Sequence, residues 1–287
     1  LQKTGVAEHI VRSLTGRIGI NNEKRAILAV MATSALLVTL LGTLAGANAI
    51  IAPLVIPLVA LIGLSPSTLA AVFQGAGQTG LFLGPFSPQV ITIMGLTGLS
   101  YGDYLLSAGL PVAVTCWLVT WFMARRIQKK TAGIYQYPDE DKAGKEYTAS
   151  RNTKQATWLF GIVMLGLLVY GVLSKGGAAY AVVVMVTAAL ATGYGARLKT
   201  KELFDTIGAG AARMVWLFLM FVLFHPFITF IEQAGAFKAL VKLLEPLLDG
   251  ASRVLLSLVT TLTGIFGIGG AAVAQSVVMH NMFKGLL

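Results

Sequence analysis

The sequence predicts an all-α polytopic membrane protein with inverted-topology repeats, interfacial amphipathic helices and broken or re-entrant helices. Of the 287 residues, 56% are hydrophobic and only 12% are charged, which is about half the usual charged share of a soluble protein. No Asp, Glu, Lys, Arg or His occurs between Ala26 and Gly102. The apolar runs also lack the alternation of half-buried strands, so we expect helices.

Charge-free runs define the expected membrane spans in chain order. The run from Ala26 to Gly102 would be about 115 Å long as a helix, so it enters the roughly 30 Å hydrocarbon core more than once. Ser65 before Pro66 indicates a helix cap followed by the first helical residue, which divides this run. The predicted spans are 26–46, 48–63, 66–99, 104–124, 155–174, 176–196, 208–231 and 254–283.

Basic residues divide the chain and orient it. Segment 125–154 holds eight of the 22 Lys and Arg residues, and we expect it to be a flexible cytoplasmic linker. It separates a first, partial repeat (1–124) from a second half with the inverted, also partial repeat (155–287). A loop at Tyr101–Asp103 and a turn at Lys175 then lie outside. The expected location is the bacterial cytoplasmic (inner) membrane.

Two stretches share one plan, an amphipathic helix, a basic residue, an apolar run and a polar residue. Arg25 precedes Asn48 by 23 residues, and Arg253 precedes Ser276 by 23 residues. Seven predicted crossings lie between the copies, so the second is upside down, as in many secondary transporters. Both amphipathic helices would lie along the membrane interface. Since the copies begin and end at different points of the plan, we expect the natural chain to extend past both ends. The apolar faces are Val6, Ile10 and Leu14 in the first copy, and Phe237, Leu240, Val241, Leu244, Leu247 and Leu248 in the second.

The segment from Gln74 to Gln89 is unlike a continuous membrane helix. It has four glycines and two prolines in 16 residues. This composition predicts a helix that is interrupted halfway through the bilayer, near Gln78, and whose free backbone groups line a cavity. The alternative is a glycine-rich face for close helix packing. The candidate binding residues are Gln74, Gly77, Gln78, Thr79, Gly80 and Ser87, and Gln89 adds a further amide.

Isolated polar residues in other apolar runs are further candidates. Asn48 is the only amide in segment 26–64, and it serves either as a ligand or in a hydrogen bond between helices. His225 precedes Pro226, and it acts either as a proton relay or as a donor to a carbonyl that the proline frees. The corresponding region of the second copy offers Gln275, Ser276 and Asn281.

Several function classes are excluded by what the sequence lacks. One cysteine excludes a disulfide scaffold. Phosphate-binding, zinc-protease and hydrolase motifs do not occur, so we expect neither enzyme activity nor a cofactor, and no metal ligands can be named. The net charge of +10 follows from basic loop residues, so no nucleic acid partner is expected. The expected partners are a small ion or an organic anion and the lipid bilayer; a homo-oligomer stays open.

The sequence resembles the ion transporter superfamily and, within it, the NhaC-type Na⁺/H⁺ antiporter family. The resemblance rests on Thr4-Gly5 with its amphipathic helix, on Leu64-Ser65-Pro66 before the segment 74–89, and on the second copy from residue 234. It implies an ion-coupled secondary carrier with inverted repeats, re-entrant hairpins and a moving transport domain. Na⁺ or H⁺ would be the coupling ion.

Three functions therefore stay open. An antiporter needs a group that exchanges a proton for a cation, most simply a carboxylate, and segment 26–102 has none. Amides, hydroxyls and helix N-termini suit an organic anion, and relatives in the superfamily carry gluconate, dicarboxylates or citrate. The sequence predicts a secondary active transporter that works by alternating access. It carries out either Na⁺/H⁺ antiport, or the symport or exchange of an organic anion such as a carboxylate. A non-transporting subunit of a membrane complex is the alternative from another class.

Overall fold

A computed structural model of the chain describes residues 3–19, 22–138, 149–174, 178–212, 215–236, 239, 242–243, 252–267 and 272–283. These residues form helices, turns and irregular connections, with no strand among them, so the all-α class is confirmed. The chain divides into two compact units, Leu1–Thr206 and Ile207–Leu287. Within the described ranges, four helical segments are long and apolar enough to cross a membrane. They are Glu23–Leu41, Pro66–Thr97, Tyr101–Thr131 and Arg151–Leu173. The chain is an all-α polytopic membrane protein.

The first unit is built around α4, which packs between α2 and α7. The apolar core of these helices includes Ile27 and Met31 of α2 and Val72 of α4, each of which is at most 1% exposed. A π-helical turn, Leu105–Gly109, joins α6 to α7. The helices are α1 (Val6–Ile18), α2 (Glu23–Leu41), α3 (Leu44–Ala60), α4 (Pro66–Leu83), α5 (Pro88–Thr97), α6 (Tyr101–Tyr104), α7 (Leu110–Thr131), α8 (Arg151–Leu173), α9 (Ala178–Gly195) and α10 (Thr200–Ala212).

The start of α4 is where the sequence predicts it. Ser65 has extended backbone angles, and its hydroxyl oxygen accepts a hydrogen bond from the backbone N–H of Thr68 at 3.2 Å. Pro66 then occupies the first helical position, where a helix needs no N–H donor. The cap and the proline are both local features of the sequence, which is why this helix start is predictable without tertiary contacts.

One amide side chain joins three helix ends. Gln128, near the C-terminus of α7, accepts a hydrogen bond from the Ser65 N–H at 2.9 Å. Its amide nitrogen donates to the Gly63 carbonyl at 3.0 Å and to the Glu23 carboxylate at 3.2 Å. The start of α2, the turn between α3 and α4, and the end of α7 therefore lie at the same end of the helix bundle. This agrees with the predicted alternation of spans.

The buried face of α1 overlaps the predicted one in part. Val6 of the predicted face is buried, together with Ala7, Val11 and Thr15, whereas Ile10 and Leu14 are half-buried. Ile10 packs against the core from its edge, and both Ile10 and Leu14 line a groove. The helix is amphipathic as expected, but its buried face is shifted toward Ala7, Val11 and Thr15.

Two predicted connections are helical instead. The outer loop expected at Tyr101–Asp103 is α6, because the Ser100 hydroxyl accepts from the Asp103 N–H at 3.3 Å and donates to the Asp103 carboxylate at 2.5 Å. The turn lies at Gly98, whose φ of +71° suits glycine. The expected linker 125–154 also begins as helix, since α7 continues to Thr131. Residues 139–148 of that linker and the turn at Lys175 lie outside the described ranges.

The second unit contains α11 (Val215–Gln233), α12 (Arg253–Gly267) and α13 (Ala272–Phe283). α13 contacts both α11 and α12. Pro226 lies inside α11. The six residues of the second predicted apolar face, from Phe237 to Leu248, lie outside the described residues. The inverted repeat and the division into two halves therefore stay predictions.

Candidate functional site

A break separates α4 from α5. Gly84 leaves the helical conformation with φ −73° and ψ 116°, and α5 begins at Pro88. Proline donates no backbone hydrogen bond and disfavours the helical conformation of the residue before it, so Pro85 and Pro88 explain the position. The predicted break is present, but the expectation that it lies near Gln78 is corrected, because α4 stays helical as far as Leu83.

The backbone carbonyls at the end of α4 all have donors. Tyr101, Tyr104 and Ser87 donate to successive carbonyls, and the Gly80 carbonyl accepts from both the Gly84 N–H and the Thr39 hydroxyl. The distances are 2.6 Å from Ser87 Oγ to Leu81 O, 3.0 Å from Tyr104 Oη to Phe82 O, 2.6 Å from Tyr101 Oη to Leu83 O, 2.8 Å from Gly84 N to Gly80 O and 3.2 Å from Thr39 Oγ1 to Gly80 O. These carbonyls are therefore occupied by neutral donors of the chain itself.

A second break, between α2 and α3, touches the first. Gly42 has a φ of +66°, and Thr43 caps α3. A β-carbon on Gly42 would lie 2.5 Å from the Phe86 carbonyl oxygen and 3.3 Å from the Ser87 nitrogen, so the two connections meet backbone to backbone. We call Gly42–Thr43 and Gly84–Ser87 the paired turns.

Two helices begin at the paired turns. α3 starts at Leu44 and α5 starts at Pro88, so the N-terminal ends of both helices leave this contact. A helix N-terminus carries a partial positive charge and unpaired N–H groups, and it favours an anion. No charged side chain is available in segment 26–102 to neutralise these ends. α2 and α4 end at the same turns, so two negative C-terminal ends lie beside these two positive N-terminal ends.

Buried polar atoms without a partner occur close to these helix starts. Among the described residues, these atoms include Asn48 Oδ1 in the second turn of α3, Gln89 Oε1 in the first turn of α5, and Ser34 Oγ in α2. The Ser34 side chain is 0% exposed. A β-carbon on Gly77 of α4 would lie 3.5 Å from its hydroxyl. Buried polar groups usually have partners, so these atoms are the candidates for contact with a ligand.

The glycines of α4 provide close packing. A β-carbon on Gly80 would lie 2.4 Å from the Ala35 carbonyl oxygen of α2, and one on Gly77 would lie 2.0 Å from Leu44. On the opposite side, a β-carbon on Gly75 would lie 2.2 Å from the Thr120 hydroxyl of α7. Since small residues let helix backbones approach, Gly77 and Gly80 match the packing alternative and not a backbone opening.

The polar side chains of α4 have different surroundings. Gln74 is exposed and Gln78 is half-buried, one helical turn apart on the same face. Thr79 is buried, and its hydroxyl donates to the Gly75 carbonyl within the helix at 3.3 Å. An exposed glutamine such as Gln74 is costly against lipid on a membrane helix, so this face suits water or a polar solute.

The candidates of the second unit are described only in part. Gln275 and Ser276 lie in α13, are half-buried and have interaction partners. Asn281 lies in α13 and His225 in α11, but the side chains of both are outside the described set. Their role as a symmetric half-site or proton relay stays a prediction.

The predicted cytoplasmic boundary gives an expected depth for the break. A β-carbon on Gly109, at the start of α7, would lie 3.3 Å from the Phe82 carbonyl oxygen. About 24 Å of helix separates Gly109 from Arg125, which marks the predicted cytoplasmic boundary of a roughly 30 Å core. With this predicted boundary, the break is expected nearer the outer end of the span than its middle.

Several residues of the site are absent from the sequence prediction. Ser34, Thr39, Tyr101 and Tyr104 are hydroxyl residues in apolar helices, and such residues are common without a role in binding. The spacing of Tyr101 and Tyr104, nearly one turn apart just after the predicted span 66–99, is the pattern that could have identified them. In the described parts of the chain, no group of three His, Cys, Asp or Glu residues could hold a metal ion.

Comparisons with known proteins add an independent finding. A family model described as citrate transporter matches residues 1–284, nearly the whole chain. No curated protein and no solved structure matches the chain. The match indicates a family of secondary transporters, not of enzymes, and it does not single out the NhaC-type antiporters. The chain belongs to the citrate transporter family.

Proposed function

We propose that the protein is an ion-coupled secondary carrier of citrate or a related carboxylate, which it binds at the paired turns and moves by alternating access. The observation that carries this proposal is a pair of helix starts with unpartnered buried amides, Asn48 in α3 and Gln89 in α5, in a segment free of charged side chains. The family match supports the same substrate class.

The N-terminal ends of α3 and α5 favour a carboxylate. Each helix N-terminus contributes about 0.3–2 kcal/mol to holding a negative charge, depending on burial. The end of α4 exposes no competing acceptor, because its carbonyls already have donors. An amide side chain offers NH₂ donors, so Asn48 and Gln89 can donate to carboxylate oxygens from the starts of α3 and α5.

Oxygen atoms near the same place suit a coupling cation. The amide oxygens of Asn48 and Gln89 and the hydroxyl of Ser34 have no partner in the described part of the chain. Hard cations prefer oxygen ligands, and a cation beside citrate would offset its charge during transport. Na⁺/H⁺ antiport has less support, because segment 26–102 offers no carboxylate to exchange the two ions.

The exposed face of α4 supplies a route to the paired turns. Gln74 and Gln78 follow one another along this face toward the end of α4. Amide side chains at this position can bind water along the route. They can also donate hydrogen bonds to a carboxylate that moves past them. The basic segment after Ala124 supports a cytoplasmic face on that side and a location in the bacterial cytoplasmic membrane.

Counterflow in proteoliposomes tests the proposal. The purified protein is reconstituted in vesicles loaded with unlabelled citrate, and labelled citrate is added outside. A carrier accumulates the label transiently against the internal pool, whereas a non-transporting subunit produces no accumulation. Vesicles without internal citrate serve as the control.

Ion gradients separate the coupling modes. An imposed Na⁺ or H⁺ gradient that drives net citrate uptake supports symport and identifies the cation. Proton movement caused by Na⁺ in the absence of citrate or any other carboxylate would instead establish antiport and overturn the carboxylate proposal.

A further inference from the structure

An amphipathic groove runs between α1 and α8 in the first unit. The groove is open on one side and has a volume of about 420 Å³. α1 contributes His9, Ser13 and Arg17, which follow one another at four-residue spacing and therefore share one face of the helix. None of the groove residues belongs to the paired turns, so the groove is distinct from the proposed citrate site.

Arg17 supplies a positive charge that the described part of the chain does not neutralise. The ion pairs found there join Lys3 to Glu202 at 3.1 Å and Arg12 to Glu8 at 3.3 Å. Glu8 is the only acidic residue of α1, and Arg12 occupies it. Arg17 is therefore available to an anionic group that does not belong to these residues.

The opposite wall of the groove is apolar. Trp158 is 74% exposed, Ile162 is 60% exposed and Leu165 is 66% exposed. Gly161 lies between them, and a β-carbon there would meet nothing within 4 Å. From Trp158 to Leu165 the wall extends about 10 Å, roughly two thirds of one leaflet of the hydrocarbon core.

We infer that this groove binds an anionic phospholipid, with its headgroup on the polar stripe of α1 and an acyl chain along α8. A water-soluble anion would gain nothing from the apolar wall, and a neutral lipid would leave Arg17 without a partner. α8 begins with Arg151 and Lys154, so the groove opens at the basic end of this helix. Cytoplasmic leaflets carry anionic lipids, and tryptophan at the level of Trp158 is typical of a membrane interface.

Quenching of Trp158 fluorescence by brominated lipids tests the inference in nanodiscs. The protein and its Trp158→Phe variant are compared, so that their difference reports Trp158 alone. Brominated phosphatidylglycerol should quench this signal more strongly than brominated phosphatidylcholine at the same mole fraction. One basic residue beside an anionic headgroup corresponds to a preference of about fivefold.

Charge variants test the headgroup contact. Arg17→Gln should bring the preference close to one. Lys129→Gln removes the same charge from an exposed position at the end of α7, outside the groove, and should keep the preference. Equal quenching by the two lipids in the unsubstituted protein, or equal effects of these two variants, would overturn the inference.

Glycine variants test the acyl-chain contact without removing charge. Gly161→Leu fills the groove, whereas Gly166→Leu adds the same side chain to open space elsewhere on α8. Both replacements favour the helix, so neither should impair folding. The preference should fall with Gly161→Leu only. An unchanged preference with Gly161→Leu, or the same loss in both variants, would contradict a lipid in this groove.

Discussion

Individual neutral side chains around the paired turns supply the hydrogen bonds that the break between α4 and α5 requires. Ser87, Tyr101, Tyr104 and Thr39 donate to carbonyls at the end of α4, and each donor is neutral. Unpaired carbonyls in a membrane protein cost several kcal/mol each, so these donors stabilise the interruption. The amides of Asn48 and Gln89 lie at the starts of the two following helices and remain available to a ligand.

Replacing Gln128 by alanine should destabilise the bundle. Gln128→Ala leaves the buried Ser65 N–H and the Gly63 carbonyl without their side-chain partner. The expected loss in the free energy of unfolding is about 1–3 kcal/mol, measured by denaturant unfolding in detergent micelles. Gln136→Ala, at an exposed position after α7, is the control and should change little. Equal stability of the two variants would show that the amide does not join the helix ends.

The sequence alone predicts some of these residues and misses others. Asn48 stands out because it is the only amide in segment 26–64, and Pro85 and Pro88 indicate a break because proline cannot continue a helix. Tyr101 acts through a contact with a residue 18 positions away along the chain. Gln128 acts through contacts with residues 63 to 105 positions away. No local pattern contains such contacts.

At the scale of elements, α4 connects the packing of the bundle to the site. Its glycines pack against α2 on one side and α7 on the other, and its end is fixed beside the turn between α2 and α3. The sequence shows that the segment is rich in glycine, and both a broken helix and a close-packing face are predicted from it as alternatives. Glycine permits a break and permits close packing, so only the position of the neighbouring helices decides between them.

Gly80 should not tolerate a methyl group. Gly80→Ala places a β-carbon against the Ala35 carbonyl oxygen, which is backbone and cannot move without shifting α2. We expect a loss of about 1–3 kcal/mol in the free energy of unfolding and impaired transport. Gly95→Ala in α5 meets nothing within 4 Å and should be neutral or stabilising. A Gly80→Ala variant as stable as Gly95→Ala would refute the close contact.

The exposed face of α4 should be accessible to water. In a Cys116→Ser background, Gln74→Cys should react with a membrane-impermeant maleimide, because this face lines a polar route. Serine at position 116 keeps a donor for the Gly75 carbonyl, which the cysteine contacts at 3.3 Å. Leu118→Cys, on an exposed apolar face of α7, is the control and should stay unreacted. Equal labelling of the two positions would contradict a polar route along α4.

At the scale of the whole molecule, the chain is a helical membrane protein of the citrate transporter family. The sequence predicts this class from composition and from long charge-free runs, since both follow directly from the bilayer as solvent. It cannot decide between Na⁺/H⁺ antiport and carboxylate transport, because the two share a plan of elements and differ at a few side chains. Inversion of the second half stays a prediction of the residue spacing.

Citrate counterflow by a charge variant at the start of α5 tests the central claim most directly. Gln89→Glu places a carboxylate at the second position of that helix, where an acid stabilises the helix but competes with a bound anion. We predict that the citrate concentration for half-maximal counterflow rises by at least about tenfold, which corresponds to about 1.4 kcal/mol. Gln136→Glu adds the same charge at an exposed position and should leave it unchanged. An unaltered half-maximal concentration in Gln89→Glu, or the same rise in both variants, would contradict citrate binding at the paired turns.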